Sequence, residues 1–266
     1  MKNILRSLVF VFFVFVMLSL VVQRLQHQPV FQEDCTDRFE VVNLQMDRWH
    51  ERSWNFRSSK GPFCSSYETK EELSTKSGHY RQQLSSYQQT YHEYWGDIYK
   101  KLVHESKNHL GFVIDSLETL GKEKNLSRQE LANLVVSFVQ DIPYSYILSK
   151  GCNTIEHRKH PCVEYTYLGI LSPYEFIHSL QGDCDTRSVL IYAILEEMEF
   201  DPMIVISREY AHAMLALHLP AVGDHLTFKG KNYYFWETTA ENWPIGVLPP
   251  SSNNINYWKI ALVNEL

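Results

Sequence analysis

One short stretch holds most of the chemistry in this chain. QGDCDTRSVL, residues 181–190, sets the thiol of Cys184 between the carboxylates of Asp183 and Asp185, where an apolar helical pattern begins. A cysteine at the amino end of a helix faces unpaired backbone N–H groups and the positive end of the macrodipole, which favours the thiolate. The two carboxylates oppose it, because a second negative charge beside them is destabilised. Reactivity at neutral pH therefore needs a cation close by, either an imidazolium or Arg187. The acids also have a plainer use, as caps for the helix N–H groups or as partners of Arg187.

His212 is the imidazole expected to serve. It opens HAMLALHL, residues 212–219, where strand alternation places it on the face of Met214, Ala216 and His218, and an imidazole at the mouth of a strand opposite a helix start can reach the thiol. Glu237 is the only acid in the aromatic run YYFWETT, residues 233–239. An unpaired carboxylate is costly there, and a hydrogen bond to an imidazole on the next strand would account for it. Cys184, His212 and Glu237 then stand as nucleophile, base and orienting group in chain order. For the oxyanion, the backbone N–H of Cys184 is one donor and Gln181 is the candidate for a second.

These residues need elements to hold them. NLSRQELANLVVSFVQ starts a helix at the N-cap Ser127 with Glu130 closing a capping box, and Pro143 in DIPYSYI stops it. LSPYEFIHSL repeats the signal with Ser172, Pro173 and Glu175, and Gly182 is expected to end that helix. The next helix, from Cys184 to about Met198, is apolar on almost every side and must be central. Strand-like runs follow at 203–207, 211–219, 233–239 and 257–263, with a hairpin turn at Gly230. Upstream, 71–105 carries Tyr91, Trp95, Ile98, Tyr99 and Leu102 at helical spacing, another helix covers 110–120, and residues 31–60 look irregular or partly helical. Helices first and antiparallel strands afterwards describe an α+β domain.

The amino terminus bears on the compartment. Leu8 to Val22 is uncharged and follows Lys2 and Arg6. Its length fits both a secretory signal, about 7–15 apolar residues, and the short end of a spanning helix, about 17–25. No small-x-small pair follows it, which favours an uncleaved signal anchor, with the rest of the chain on the extracytoplasmic side by the positive-inside rule. The expected organisation is an anchor over 1–28, a mainly helical membrane-proximal region over 29–120 and a catalytic domain over 121–266.

Five cysteines fit an oxidising compartment. The sequence-local pairs are Cys35 with Cys64 and Cys152 with Cys162, which leaves Cys184 unpaired. CNTIEHRKHPC also offers His157 and His160 between two thiols, a zinc alternative whose spacing matches no known finger, so a disulfide is preferred and no metal is expected. With 25 Lys plus Arg against 31 Asp plus Glu and no basic block, the formal net charge of −6 gives no footprint for nucleic acid.

FVQDIPYSY, SPYEFIHSLQGDCDTRSVLIYAILEEM, AHAMLAL and YYFWETTAENWPIG, in that order and spacing, resemble the successive blocks of the transglutaminase-like superfamily, especially its bacterial and archaeal members. The resemblance covers about residues 125–250. It implies a papain-like α+β core, with the triad carried onto Cys184, His212 and Glu237; glutamate stands where the animal enzymes have aspartate. It further implies acyl transfer from peptide, protein or cell-wall amides through a thioester, ending in hydrolysis or cross-linking. The superfamily also has catalytically silent members, so a binding or scaffold module of the cell envelope is the alternative. No EF-hand-like loop appears, the calcium dependence of the animal enzymes is not carried over, and no cofactor is expected.

Overall fold

The computed structural model describes residues 37–43, 46–56, 62–155 and 159–264. The apolar run at 8–22, Cys35 and His157 lie outside these. Among the described residues no helix is long and apolar enough to cross a membrane.

The class is α+β. Among the described residues, six α-helices, α1 (Glu71–Gln82), α2 (Tyr91–Ser106), α3 (Gly111–Glu123), α4 (Arg128–Gln140), α5 (Pro173–Ser179) and α6 (Cys184–Glu197), accompany two antiparallel sheets and a short parallel pair of β4 (Tyr146–Ile147) and β5 (Cys162–Val163). The larger sheet has the order β10-β6-β7-β9-β8, from β6 (Pro202–Ser207), β7 (His212–Leu217), β8 (His225–Phe228), β9 (Lys231–Trp236) and β10 (Lys259–Val263). Both capping boxes form as their sequences require, at Ser127 with Glu130 and at Ser172 with Glu175. The β8–β9 turn is the two-residue kind that needs positive φ at both centres, met by Lys229 (47°) and Gly230 (78°).

The central helix is α6. Val189 to Leu195 are all buried, packed between the inner face of the sheet (Ile204, Ile206, Ala213, Leu215, Leu217, Trp236) and the other helices. The outer face, with Met203, Val205, Met214, Ala216 and Phe235, packs under Leu248 and Trp258. Met214 and Ala216 therefore point away from α6, not toward it.

Two expectations are corrected. Much of the supposedly irregular stretch before residue 60 is β1 (Arg38–Val41) and β2 (Arg48–Trp54), which join β3 (Phe63–Thr69) in a three-stranded sheet. Its inner residues Trp54, Phe63 and Tyr67 pack on Phe138 of α4 and Phe112 of α3, a long-range partnership that local pattern does not announce. Helix α5 ends before Gly182, at Leu180, which takes the left-handed conformation (φ 55°) and donates its N–H to Phe176 O. Gly182 serves close approach instead: a Cβ there would sit 2.8 Å from the Phe176 ring.

The sheet and helices meet tightly at one more glycine. Pairing of β10 with β6 slips between Ile260 and Leu262, so Ala261 bulges. A Cβ on Gly96 of α2 would lie 1.9 Å from its carbonyl oxygen. The obstacle is backbone, which cannot rotate away. Gly96→Ala is expected to cost about 1–3 kcal/mol, read as a lower urea midpoint at unchanged slope; a midpoint equal to wild type would show that β10 can shift off α2 freely.

Candidate active site

Cys184 is the first residue of α6. Asp183 is the N-cap and accepts from the Thr186 N–H at 3.2 Å, so capping falls to Asp183 and not to Asp185. The turn before it is clamped from within. Arg187 is fully buried and donates Nε to Gly182 O (3.0 Å), Nη1 to Val139 O (2.7 Å) and Nη2 to Ile142 O (2.5 Å). The expected pairing of Arg187 with the neighbouring acids is corrected: three backbone carbonyls satisfy its fork. Residues 144–148 brace the same turn from outside, since Tyr144 bridges to Gly182 while Tyr146 and Leu148 donate to Pro161 and Val163.

Cys162 belongs to that brace. Cys152 and Cys162 form a disulfide with Cα atoms 6.1 Å apart, as expected from their spacing, which removes both sulfurs as thiolate ligands for zinc. His160 packs edge-on to Tyr144 and Tyr146. Cys64 is also disulfide-bonded, while Cys184 is a free thiol.

Across from the thiol, β7 begins. The backbone N–H of Ala213 lies near enough to the sulfur of Cys184 to favour its thiolate, so the start of the strand and the start of the helix meet. His212 sits at this junction, its ring edge against Trp258 with centroids 5.9 Å apart, and its Nε2 bonds Glu237 Oε2 at 2.8 Å. Because Nε2 faces the carboxylate, Nδ1 is the nitrogen left to exchange a proton with the thiol. It is the end of the strand, not the Met214 face, that brings imidazole and helix start together.

Glu237 follows β9, the strand that pairs with β7, and is 3% exposed. Its second oxygen, Oε1, accepts from the N–H groups of Thr238 and Thr239 at 2.9 and 2.8 Å and from Thr239 Oγ1 at 2.7 Å. Gln140 holds its main chain, donating Nε2 to Glu237 O at 2.7 Å. Sequence reasoning missed Gln140, Thr239 and Trp258 as supports. The Gln140 amide reaches across 97 residues, a separation that no local pattern encodes.

Charge in the site is set by burial and by these contacts. Burial opposes charging of His212, yet the hydrogen bond and charge of Glu237, with the charge of Asp185, outweigh it and lift the imidazole above its ordinary 6.5. Burial likewise raises Glu237, but the bond and charge of His212 and the Thr239 donors win and hold it below 4.5. The thiol moves the other way. Burial first, then the charges of Asp185 and Asp183, push Cys184 well above its usual value, against the pull of the Ala213 N–H. Asp183, half-buried beside Asp185, is pushed up to about 8 by desolvation and then by the charge of Asp185.

A groove of roughly 360 Å³ opens on the dyad, with Tyr210, Trp243, Pro249 and Ser251 around His212 and Glu237. Gln181 is exposed on the turn ahead of Cys184, its backbone N–H bonded to Ser179 Oγ at 3.3 Å. Comparison with family models, with curated proteins and with solved structures finds no match.

Proposed function

We propose that this chain is a membrane-anchored, extracytoplasmic thiol enzyme of transglutaminase-like, papain-like design that acts on amide bonds through a thioester. One observation carries the proposal: a free cysteine at a helix start meets the beginning of a strand whose histidine is bonded at 2.8 Å to a buried glutamate. Nothing in ordinary core packing asks for that combination.

The steps follow from the groups present. His212 Nδ1 takes the proton of Cys184, and the sulfur attacks the amide carbonyl. The tetrahedral oxyanion would be held by the backbone N–H of Cys184, since the Asp183 cap is spent on Thr186. The C–N bond then breaks, the proton on His212 passes to the leaving amine, and a thioester remains on Cys184. Water gives a carboxylic acid and a peptidase or amidase outcome; an amine gives a new amide and a cross-link. In both cases His212 takes the nucleophile's proton and returns one to sulfur. Glu237 keeps the ring oriented and stabilises it while charged.

The extracytoplasmic placement draws on the apolar run at 8–22 and on the disulfide, which persists in oxidising compartments. Peptides, proteins or cell-wall amides on that side are the substrates proposed.

Acylation by p-nitrophenyl acetate tests the thioester step without a known substrate. The full chain in detergent is expected to release a burst of p-nitrophenolate equivalent to its free thiol, with the acetyl group mapped to Cys184 and released by hydroxylamine. Cys184→Ala should abolish the burst. An equal burst from that variant, or none from folded wild type, would remove the proposed activity.

A further inference from the structure

Asp185 neither caps α6 nor pairs with Arg187. The helix cap is Asp183, and Arg187 is satisfied by carbonyls. What Asp185 touches is reactive: the thiol of Cys184 donates to its Oδ1 at 3.5 Å, and the hydroxyl of Tyr99, buried on α2, lies near enough to the same carboxylate to favour its ionised form. We propose that Asp185 is a fourth catalytic residue of the site, the acceptor that holds the Cys184 S–H in a latent neutral form until the hydrogen turns to His212.

The proposal rests on the thioester chemistry above and adds a resting state to it. Around the thiol stand Asp183, Asp185 and Arg187 of α6, Tyr91 and Tyr99 of α2, Tyr144 after α4 and the start of β7, where His212 feels the charge of Asp185 and holds the bond to Glu237. Asp185 is the one of these whose side chain receives the S–H. In the resting arrangement Glu237 holds the imidazole and Asp185 holds the thiol, so the two halves of the nucleophilic pair are parked on separate carboxylates. Activation moves one proton from sulfur to Nδ1. The electron pair stays on sulfur, the S–H bond to Asp185 is given up, and the new imidazolium faces both Glu237 and Asp185. A bound amide that claims the sulfur's vicinity would favour that turn.

Such latency suits a free thiol in a chain whose Cys64, Cys152 and Cys162 are disulfide-bonded. Oxidation and disulfide exchange proceed through the thiolate, so a cysteine kept as S–H escapes both until substrate arrives. The raised thiol described above agrees with this assignment.

Iodoacetamide modification of Cys184, followed by peptide mass spectrometry across pH 6–9 on the full chain, decides it. Asp185→Asn is expected to react about tenfold faster or more at neutral pH, with the rise in rate displaced toward acid, because a nearby like charge typically shifts such a group by about one to three pH units. Tyr99→Phe should act in the same direction but less, since it removes a hydroxyl that favours the ionised Asp185. It also serves as the test if Asp185→Asn does not fold. An unchanged or slower profile in a folded variant overturns the proposal. If wild type shows the acetyl burst and Asp185→Asn alkylates like wild type, the thioester chemistry stands and the latent thiol falls; fast alkylation of Asp185→Asn without a burst in wild type gives the converse.

Discussion

Glu237→Gln is expected to slow acylation of Cys184 by about 10²-fold or more, the contribution typical of a well-placed general base and its orienting group. Glutamine keeps the shape of the side chain but not its charge. In wild type His212 is lifted above 6.5 by Glu237, so the neutral ring that takes the thiol proton accumulates only at higher pH, and the acid limb of the rate profile should lie above that value. Without the carboxylate, burial is opposed chiefly by the charge of Asp185, and the limb should move toward acid while the plateau falls. Stability should follow the same pair. The raised His212 contributes fully below 6.5 and less as pH rises through its folded value. The lowered Glu237 contributes above 4.5 and less as pH falls through its folded value. Glu237→Gln should therefore lose most stability between pH 4.5 and 6.5. A variant with wild-type acylation rate and an unmoved acid limb would show that Glu237 is only a buried structural acid.

Removing Arg187 should cost folding itself. Arg187→Met fills the space but takes a donor from the carbonyls of Gly182, Val139 and Ile142; the Ser145 N–H still serves Gly182 O and the Ile142 N–H still serves Val139 O, so the cost of about 1–3 kcal/mol for an acceptor that water cannot reach falls chiefly on Ile142 O. Relief from burying a guanidinium offsets part of this. A net loss of about 1–3 kcal/mol is expected, measured by urea unfolding. Arg187→Lys should recover little, because one ammonium cannot reproduce a planar fork aimed at three oxygens. Equal stability of wild type and Arg187→Met would mean that the carbonyls are hydrated and the clamp is dispensable. Burial lowers Arg187 to about 10, so its charge persists at neutral pH and the effect should be flat across that range.

These two residues mark how much of the site the sequence disclosed. Glu237 was legible because a lone acid in an aromatic strand demands a partner, and the partner proved to be His212. Arg187 was legible as a cation beside acids, but its burial and its carbonyl partners were not. A guanidinium satisfied by carbonyls leaves no trace in side-chain spacing.

The amino-acid sequence by itself determined the helix starts at Ser127 and Ser172, the central position of α6, the four strand-like runs after it, the local disulfide and the candidate set Cys184, His212 and Glu237. All of these rest on signals contained within a few residues: a cap and its third neighbour, a period of two or 3.6, a charge in an apolar run. Only the tertiary structure decided that Arg38–Val41 and Arg48–Trp54 are strands, that Asp183 caps while Asp185 meets the thiol and Tyr99, and that the end of β7, not its Met214 face, carries His212 to the site. The reason is common to them. Each depends on which surface a distant element covers, and that is settled by packing between residues far apart in the chain, where local propensity has no vote.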